Sequence, residues 1–355
     1  MNIRVLTADQ LTPELVAAWS ACQCENPALD SPHFRPEFTA AVAAVRNDVE
    51  IAVLEEGTPV GFFPFHRVKD RVGVPVGGRL SDFQGLIACQ GLSWNVEALM
   101  EGCGLRVWRF NHLISQPSFA PYCFAAEVSP YMDLSAGVEA YNAGRQARGS
   151  DEPSRTRRKL RKLERDIGPL RFEAHASDPS VFAQLIDWKR SQYHRTGETD
   201  VFSYPWTLAL LERILEERGD AFAGMLSALY AGDRLAAAHL GMRSYGVLHA
   251  WFPVYNHEMA AYSPGLILFA ELAKNAQSLG IRRIDLAKGM TRMKQELMSA
   301  STQVSEGCFS RSRLAPLLRR AWSRTRQKLH TTPLRAVLRF PARIVRRLRD
   351  HLEFR

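Results

Sequence analysis

The sequence predicts an α/β protein (mixed sheet, α+β connections) in which one sheet-forming unit occurs twice. Three observations carry that expectation. Two hairpin-like segments lie about 175 residues apart, a strand–helix–strand passage follows the second, and the terminal segment is basic and unlike the rest. At 355 residues the chain is long enough for two ordinary domains. We read residues 1–135 as the first domain, 136–170 as a basic connecting helix, 171–310 as the second domain and 311–355 as a basic amphipathic tail.

The first elements follow from local chemistry. Ile3 and Val5 alternate as a short strand. Thr12 then offers a side-chain cap, Pro13 suits the first helical position, and Leu15, Val16 and Trp19 make one apolar face. Residues 50–67 give two apolar runs around Glu56-Gly57, and residues 223–243 give two more around Ala231-Gly232-Asp233. Superposing Gly57 on Gly232 keeps the strand periodicity, and a repeat this long means a duplicated domain rather than a solenoid. Between them, Ser154–Arg165 is a basic helical segment ended by Gly168-Pro169. It reads as a solvated connecting helix with Leu160 and Leu163 turned inward, or as a source of positive charge for an anionic ligand.

After the second hairpin, Val247–Pro253 alternates as a strand, and residues 266–280 read as a helix with Leu266, Phe269, Ala273 and Ala276 on one side. Gly280 is the expected left-handed stop, and Ile281–Leu286 returns as a strand, so the crossover is expected to be parallel. Ser263-Pro264-Gly265 opens that helix. Ser263 is expected to cap it, Pro264 is preorganised at its first position, and Gly265 permits close approach to N–H groups that favour phosphate oxygens. The same three residues also make a well-capped helix that binds nothing.

Composition narrows the function classes. Residues 311–355 hold 14 Lys+Arg against 2 Asp+Glu, a local charge of +12, so the net +9 of the chain leaves −3 for residues 1–310. The basic character is an appended device, and no specific nucleic-acid partner is expected. The apolar stripe of residues 312–352, with Leu314, Leu317, Leu318, Ala321 and Trp322 between arginines, suits either an anionic membrane surface or packing on the body. No secretory leader or membrane span is read, so a cytoplasmic location is expected, with peripheral attachment to the inner face of the cytoplasmic membrane. The six cysteines show no CxxC pair and no zinc spacing, so neither a disulfide nor a metal is expected. Motifs of dinucleotide, nucleoside triphosphate, serine-elbow and zinc-protease chemistry are absent.

The order hairpin, aromatic-ended strand, capped helix and strand ending in DLAKG resembles the GNAT superfamily. More narrowly, AHLGMR, LHAWFPVY, YSPG, GIRRIDLAKG and Lys294, together with SDFQG at 81–85 and YMDLS at 131–135, resemble acetyltransferase-like proteins of bacterial cellulose and exopolysaccharide synthesis. The resemblance spans roughly residues 1–310 and implies a tandem GNAT fold with acetyl-CoA or another acyl-CoA as co-substrate. Where the family often has DLGKG followed by a Tyr-Lys pair, Ala287 and Met293 stand here. The implied donor site is Ser263, Pro264, Gly265 and Leu266, with Lys288 and Lys294 for the phosphates. Acyl transfer needs a base and an oriented acceptor. His239, on a strand expected to border the cleft, is the candidate base, and Asp285 would orient it or the acceptor. Each serves equally as a structural residue. Trp251 and Tyr255 are placed where the acyl or acceptor group passes, and Asp82 and Gln84 in a Gly-rich loop are candidates to hold a saccharide acceptor. The expected activity is acyl-CoA-dependent N- or O-acyl transfer to a saccharide or polysaccharide precursor. The alternatives are a Fem-type transferase using aminoacyl-tRNA and a noncatalytic partner of a polysaccharide synthase.

Overall fold

A computed structural model of the chain describes residues 1–311. The tail read over 311–355, with its apolar stripe at 312–352, lies outside the described residues except for Arg311. Among the described residues the chain forms two compact units, one of residues 1–127 with 303–311, the other Val128–Thr302.

The first unit contains β1 (Asn2–Leu6), α1 (Pro13–Glu25), α2 (Pro36–Ala43), β2 (Val49–Glu56), β3 (Thr58–Lys69), β4 (Val72–Pro75), β5 (Ile87–Ala88), α3 (Val96–Gly102) and β6 (Val107–Leu113). After β7 (Cys123–Asp133), the chain makes α4 (Gly137–Ala147), α5 (Glu152–Asp166), β8 (Leu170–Glu173), α6 (Pro179–Thr196), α7 (Pro205–Glu216), β9 (Ala223–Ala231), β10 (Arg234–Ser244), β11 (Val247–Tyr255), α8 (Pro264–Asn275), β12 (Arg283–Asp285), α9 (Arg292–Leu297) and β13 (Ala300–Ser310).

Both units have the same strand pattern. In the first, β1–β2–β3–β4 are successive antiparallel neighbours, β4 pairs with β6 in parallel, and β6 pairs with β13 antiparallel. In the second, β8–β9–β10–β11 are antiparallel, β11 pairs with β12 in parallel, and β12 pairs with β7 antiparallel. The two hairpins read from the sequence are β2–β3 and β9–β10, and their turn glycines Gly57 and Gly232 both have positive φ (77° and 56°). The last strand of each unit is supplied from the opposite half of the chain. The residues of β13 from Gln303 onward therefore sit in the first unit, and α4 and α5 belong wholly to the second. A linear division of the sequence does not show this exchange.

Period-two alternation explains the first unit's two cores. Ile51, Val53 and Phe62 pack with Leu15, Trp19 and Cys22 of α1. Their sequence neighbours Ala52, Leu54, Phe63 and Phe65 pack instead with Val96, Leu99 and Met100 of α3. The stretch Ile51–Leu54 of β2 is wholly apolar because both of its faces are covered. α1 begins as expected, with Leu15 N–H donating to Thr12 Oγ1 at 3.4 Å. It crosses β3 and brings Cys22 to the end of β5, where a disulfide joins it to Cys89 with the Cα atoms 4.1 Å apart. The expectation of no disulfide is corrected here, because spacing along a chain does not encode which thiols a helix crossing a sheet will bring together. Cys24 and Cys103 are free thiols.

In the second unit, α8 lies on β10 and β11 and buries Leu266, Phe269 and Leu272 with Met225, Leu229 and Leu248. Its regular hydrogen bonding stops at Asn275, short of the expected Gly280. Residues 276–280 continue as turns, ending at Gly280 with φ 67°. α6 lies against β10 and β11, and α7 against β9. Among the described residues no helix is long and apolar enough to cross a membrane.

Two glycines test this packing. A Cβ at Gly224 would stand 2.2 Å from the Ile214 carbonyl oxygen, whereas one at Gly57 meets nothing within 4 Å and suffers only the left-handed φ. Gly57→Ala should therefore cost about 1 kcal/mol and Gly224→Ala about 3 kcal/mol. Urea unfolding midpoints check the order, and equal losses would contradict this account of the β9–α7 contact.

Candidate functional site

β11 and β12 run together only briefly. Their parallel register pairs Val247, Leu248 and His249 with Arg283, Ile284 and Asp285, and β12 then ends, while β11 continues to Tyr255. The strands part at His249, and the open end of β11 leads through a short turn to the start of α8.

That start is built differently from the expected cap. Ser263 has φ 54° and ψ 53°, in the left-handed region, and its side chain makes no capping hydrogen bond. Instead Lys159 Nζ of α5 donates to Ser263 Oγ at 2.6 Å. The capping expectation is corrected: the left-handed backbone removes the Ser hydroxyl from the helix N–H groups and turns it toward the basic helix. Such a conformation in a non-glycine residue costs on the order of 1–3 kcal/mol and persists only where surrounding structure enforces it. Leu266 and Ile267 donate to Ser263 O at 3.0 and 3.3 Å, and Pro264 has no N–H. This leaves Gly265 N–H without a backbone acceptor among the described residues, at the positive end of the α8 dipole. Tyr255, 41% exposed, stands over Gly265, its Cδ1 3.7 Å from where a Cβ would be. Leu266, by contrast, is buried in the core.

α5 is tied in place from both ends. The buried pair Arg145–Glu152 joins it to α4, Arg155 bonds Glu296 at 2.9 Å, and Tyr262 Oη donates to Asp166 at 3.1 Å. Arg157, Arg158, Arg161, Lys162 and Arg165 are exposed along the helix, and Lys162 Nζ lies 5.6 Å from the Tyr262 ring centroid. Leu163 is fully buried and Leu160 packs against the core, as the connecting-helix reading requires. The segment is both an anchored connector and a positive face beside the α8 start.

The loop after β12 is also strained. Ala287, at the position where the resembled family has Gly, has φ 62°. Lys294 Nζ donates to the carbonyl oxygens of Ala287 and Lys288 at 2.9 and 2.8 Å. Lys294 thus clamps this loop rather than reaching toward phosphates at α8, and Lys288 contributes its carbonyl to the same clamp.

The proposed chemistry of His239 and Asp285 is revised by their surroundings. His239 lies on β10 as expected, but its ring is fully buried, with neither nitrogen hydrogen-bonded, 6.1 Å from the Phe269 ring. Burial, with a smaller contribution from His249, pushes its pKa down to about 3. It is a neutral core residue, unsuited to take a proton from an acceptor it cannot touch. Asp285 is buried and spends its carboxylate on Arg283, with Nε–Oδ1 at 2.9 Å, so it fixes its own strand. Trp251 is buried beside Phe252, with ring centroids 5.0 Å apart.

In the first unit, Gln84 is fully engaged. Its Nε2 donates to Ser81 O and Asn111 Oδ1 (3.0 and 2.8 Å), and its Oε1 accepts from the N–H groups of Asn111 and His112 (2.9 and 3.0 Å). It locks the 81–85 loop to β6 and has no amide group to spare for an acceptor. Asp82 pairs with His112 Nε2 at 3.2 Å.

One residue missed by the sequence reading is Lys189 of α6, held down to a pKa of about 8 by burial and then by Lys294. The signal was present. Val181, Leu185 and Lys189 follow one another at four-residue spacing, which sets a lysine on the buried stripe of the helix.

Comparison with known proteins agrees with this geometry. Residues 152–295 match the family described as Acetyltransferase (GNAT) domain. Among solved structures, FemX has a TM-score of 0.58 at 9% identity, covering 90% of this chain and 99% of that one. The C-terminal domain of a protein named as a lysylphosphatidylglycerol synthetase from Agrobacterium fabrum gives 0.53 at 14% identity, covering 85% and 93%. L-PGS from Bacillus licheniformis gives 0.51 at 10% identity, covering 87% and 96%. At these identities the likeness is one of fold. No curated protein matches the chain.

The buried state of His239 has a measurable consequence. Its folded pKa lies below the ordinary value of 6.5, so the unfolded chain binds the proton more readily. Its contribution is complete above the unfolded pKa and is lost as pH falls from there toward about 3. Between pH 7 and pH 5 the loss should be about 2 kcal/mol, and His239→Leu should remove it from the urea-unfolding difference between those pH values. An unchanged pH dependence in the variant would show that the ring is accessible to protons after all.

Proposed function

We propose, for a chain with a tandem GNAT fold that carries a GNAT acetyltransferase-like domain at residues 152–295, that it is an acyl-CoA-dependent acyltransferase whose donor phosphates rest at the start of α8. The observation that carries this reading is the α8 start itself: Gly265 N–H unspent, Ser263 held in a left-handed conformation, and Lys159 placed on its hydroxyl. A helix start with a fixed cation beside it favours phosphate oxygens by hydrogen bonding and by charge. The exposed arginines of α5 extend that field to further phosphates of the donor.

In this reading the acyl group lies along the open end of β11, between Trp251 and Tyr255. The acceptor heteroatom attacks the thioester carbon, the new acyl bond forms as the carbon–sulfur bond breaks, and the thiolate leaves with the proton given up by the acceptor. With His239 and Asp285 committed elsewhere, the chain's main contributions are positioning and the field at the donor site. The acceptor class we favour is a saccharide or polysaccharide precursor, N- or O-acylated, on the motifs shared with the exopolysaccharide-associated proteins. A second reading, transfer from an aminoacyl-tRNA, draws on the likeness to FemX and on the basic face of α5.

Calorimetry with acetyl-CoA separates these. A Cβ at Gly265 makes only an ordinary contact with Tyr255, so Gly265→Ala should bind nearly as the parent does, whereas Gly265→Trp fills the approach to the N–H. We expect the Trp variant to lose at least about tenfold in affinity, about 1.4 kcal/mol, with its unfolding midpoint little changed. Equal affinity of Gly265→Trp and the parent would remove the donor site from α8.

A further inference from the structure

Lys189 is not among the residues assigned to the donor site. Its Nζ lies 3.3 Å from Gln192 Oε1, 5.3 Å from the Tyr193 ring centroid and 6.0 Å from that of Phe252. No carboxylate pairs with it among the described residues. Neighbouring cations do not share its position: Arg190, the next residue, bonds Phe202 O at 2.8 Å and lies 3.7 Å from Asp200. The charged group acting on Lys189 is Lys294 of α9, whose ammonium is fixed by two carbonyl oxygens. Lys189 is partly buried beside two aromatic rings with no carboxylate on it among the described residues, and a cation so placed gains from an anion that joins it.

The position of this charge matters as much as its sign. Phe252 lies three residues beyond His249, the last residue of β11 paired with β12, so Lys189 faces the stretch of β11 where the strands have parted. The donor phosphates are assigned to the α8 start, where Lys159 is the nearby cation. Lys189 thus addresses whatever meets the acyl group from the other side of β11's open end.

We propose that Lys189 is the recognition point for an oxyanion carried by the acyl acceptor, a carboxylate or a phosphate. This rests on the acyltransferase reading and narrows its acceptor to an anionic one. The aromatic rings of Tyr193 and Phe252 partly shield the ammonium from water and so strengthen its attraction for the anion. A saccharide precursor bearing a phosphate or a uronic carboxylate meets the requirement, whereas an uncharged sugar leaves the lysine unpaired.

The test uses the full chain and simple probes. Amine labelling with an N-hydroxysuccinimide ester, read at each lysine by mass spectrometry, is run in chloride, inorganic phosphate and acetate at constant ionic strength. We expect at least one oxyanion to slow labelling of Lys189 by about threefold or more relative to chloride. Phosphate protection assigns a phosphoryl group to the acceptor, and acetate protection assigns a carboxylate. The same oxyanion should raise the melting temperature of the parent and of Lys189→Arg above its effect on Lys189→Met. Labelling of Lys189 unchanged by both oxyanions, or an equal thermal shift in Lys189→Met, overturns the proposal. Acetyl-CoA binding measured in parallel keeps the two readings apart: protection of Lys189 without acetyl-CoA binding retains the anion site and rejects the donor. Acetyl-CoA binding without protection does the reverse.

Discussion

The parting of β11 from β12 is the constraint on which the second unit's arrangement depends. Parallel strands joined through a crossover helix normally pair along their length, and here the register stops after three residues. β11 continues beyond that point because β10 holds its other edge as far as Tyr255. The helix that follows must then start beside the open end rather than over a continuous sheet. The start of α8, the strained Ser263 and Ala287, the Lys294 clamp and the lysine of α6 all gather around that opening.

The first unit repeats the strand pattern, with β4 and β6 as its parallel pair, but it is furnished differently. Its Gly-rich loop is locked by Gln84 and Gln116, the latter bonding both the N–H and the carbonyl of Leu86 at 3.0 and 2.7 Å. Its cores fill both faces of the sheet with aromatic side chains such as Trp19, Phe62, Phe63 and Trp108. The family match likewise falls on the second half of the chain. The two units share a common strand pattern, and the polar and strained features described at the α8 start belong to the second.

The sequence showed the scaffold far better than the chemistry. Alternation and turn glycines revealed both hairpins, and the 3.6-residue period revealed α1, α5 and α8, because burial of one face writes itself directly into residue order. The turn that opens α8 was legible through Pro264 and Gly265, whose backbone properties are local. Ser263 was misread for the opposite reason. Its cap depends on φ, which is left-handed here, and its hydroxyl is engaged by Lys159, 104 residues away. His239 and Asp285 looked catalytic by type and place, yet their ionisation and partners depend on neighbours that only folding supplies. The exchange of β7 and β13 between units and the Cys22–Cys89 bond are long-range facts of the same kind.

The central claim is that the α8 start holds the phosphates of an acyl donor. Amide hydrogen exchange of the full chain, with and without acetyl-CoA, tests it most directly, because exchange reports the N–H groups themselves. The account predicts slower exchange in the peptide containing Gly265–Ile267, accompanied by slower exchange in the part of α5 around Lys159. Exchange unchanged at α8 under conditions where acetyl-CoA is bound would contradict it.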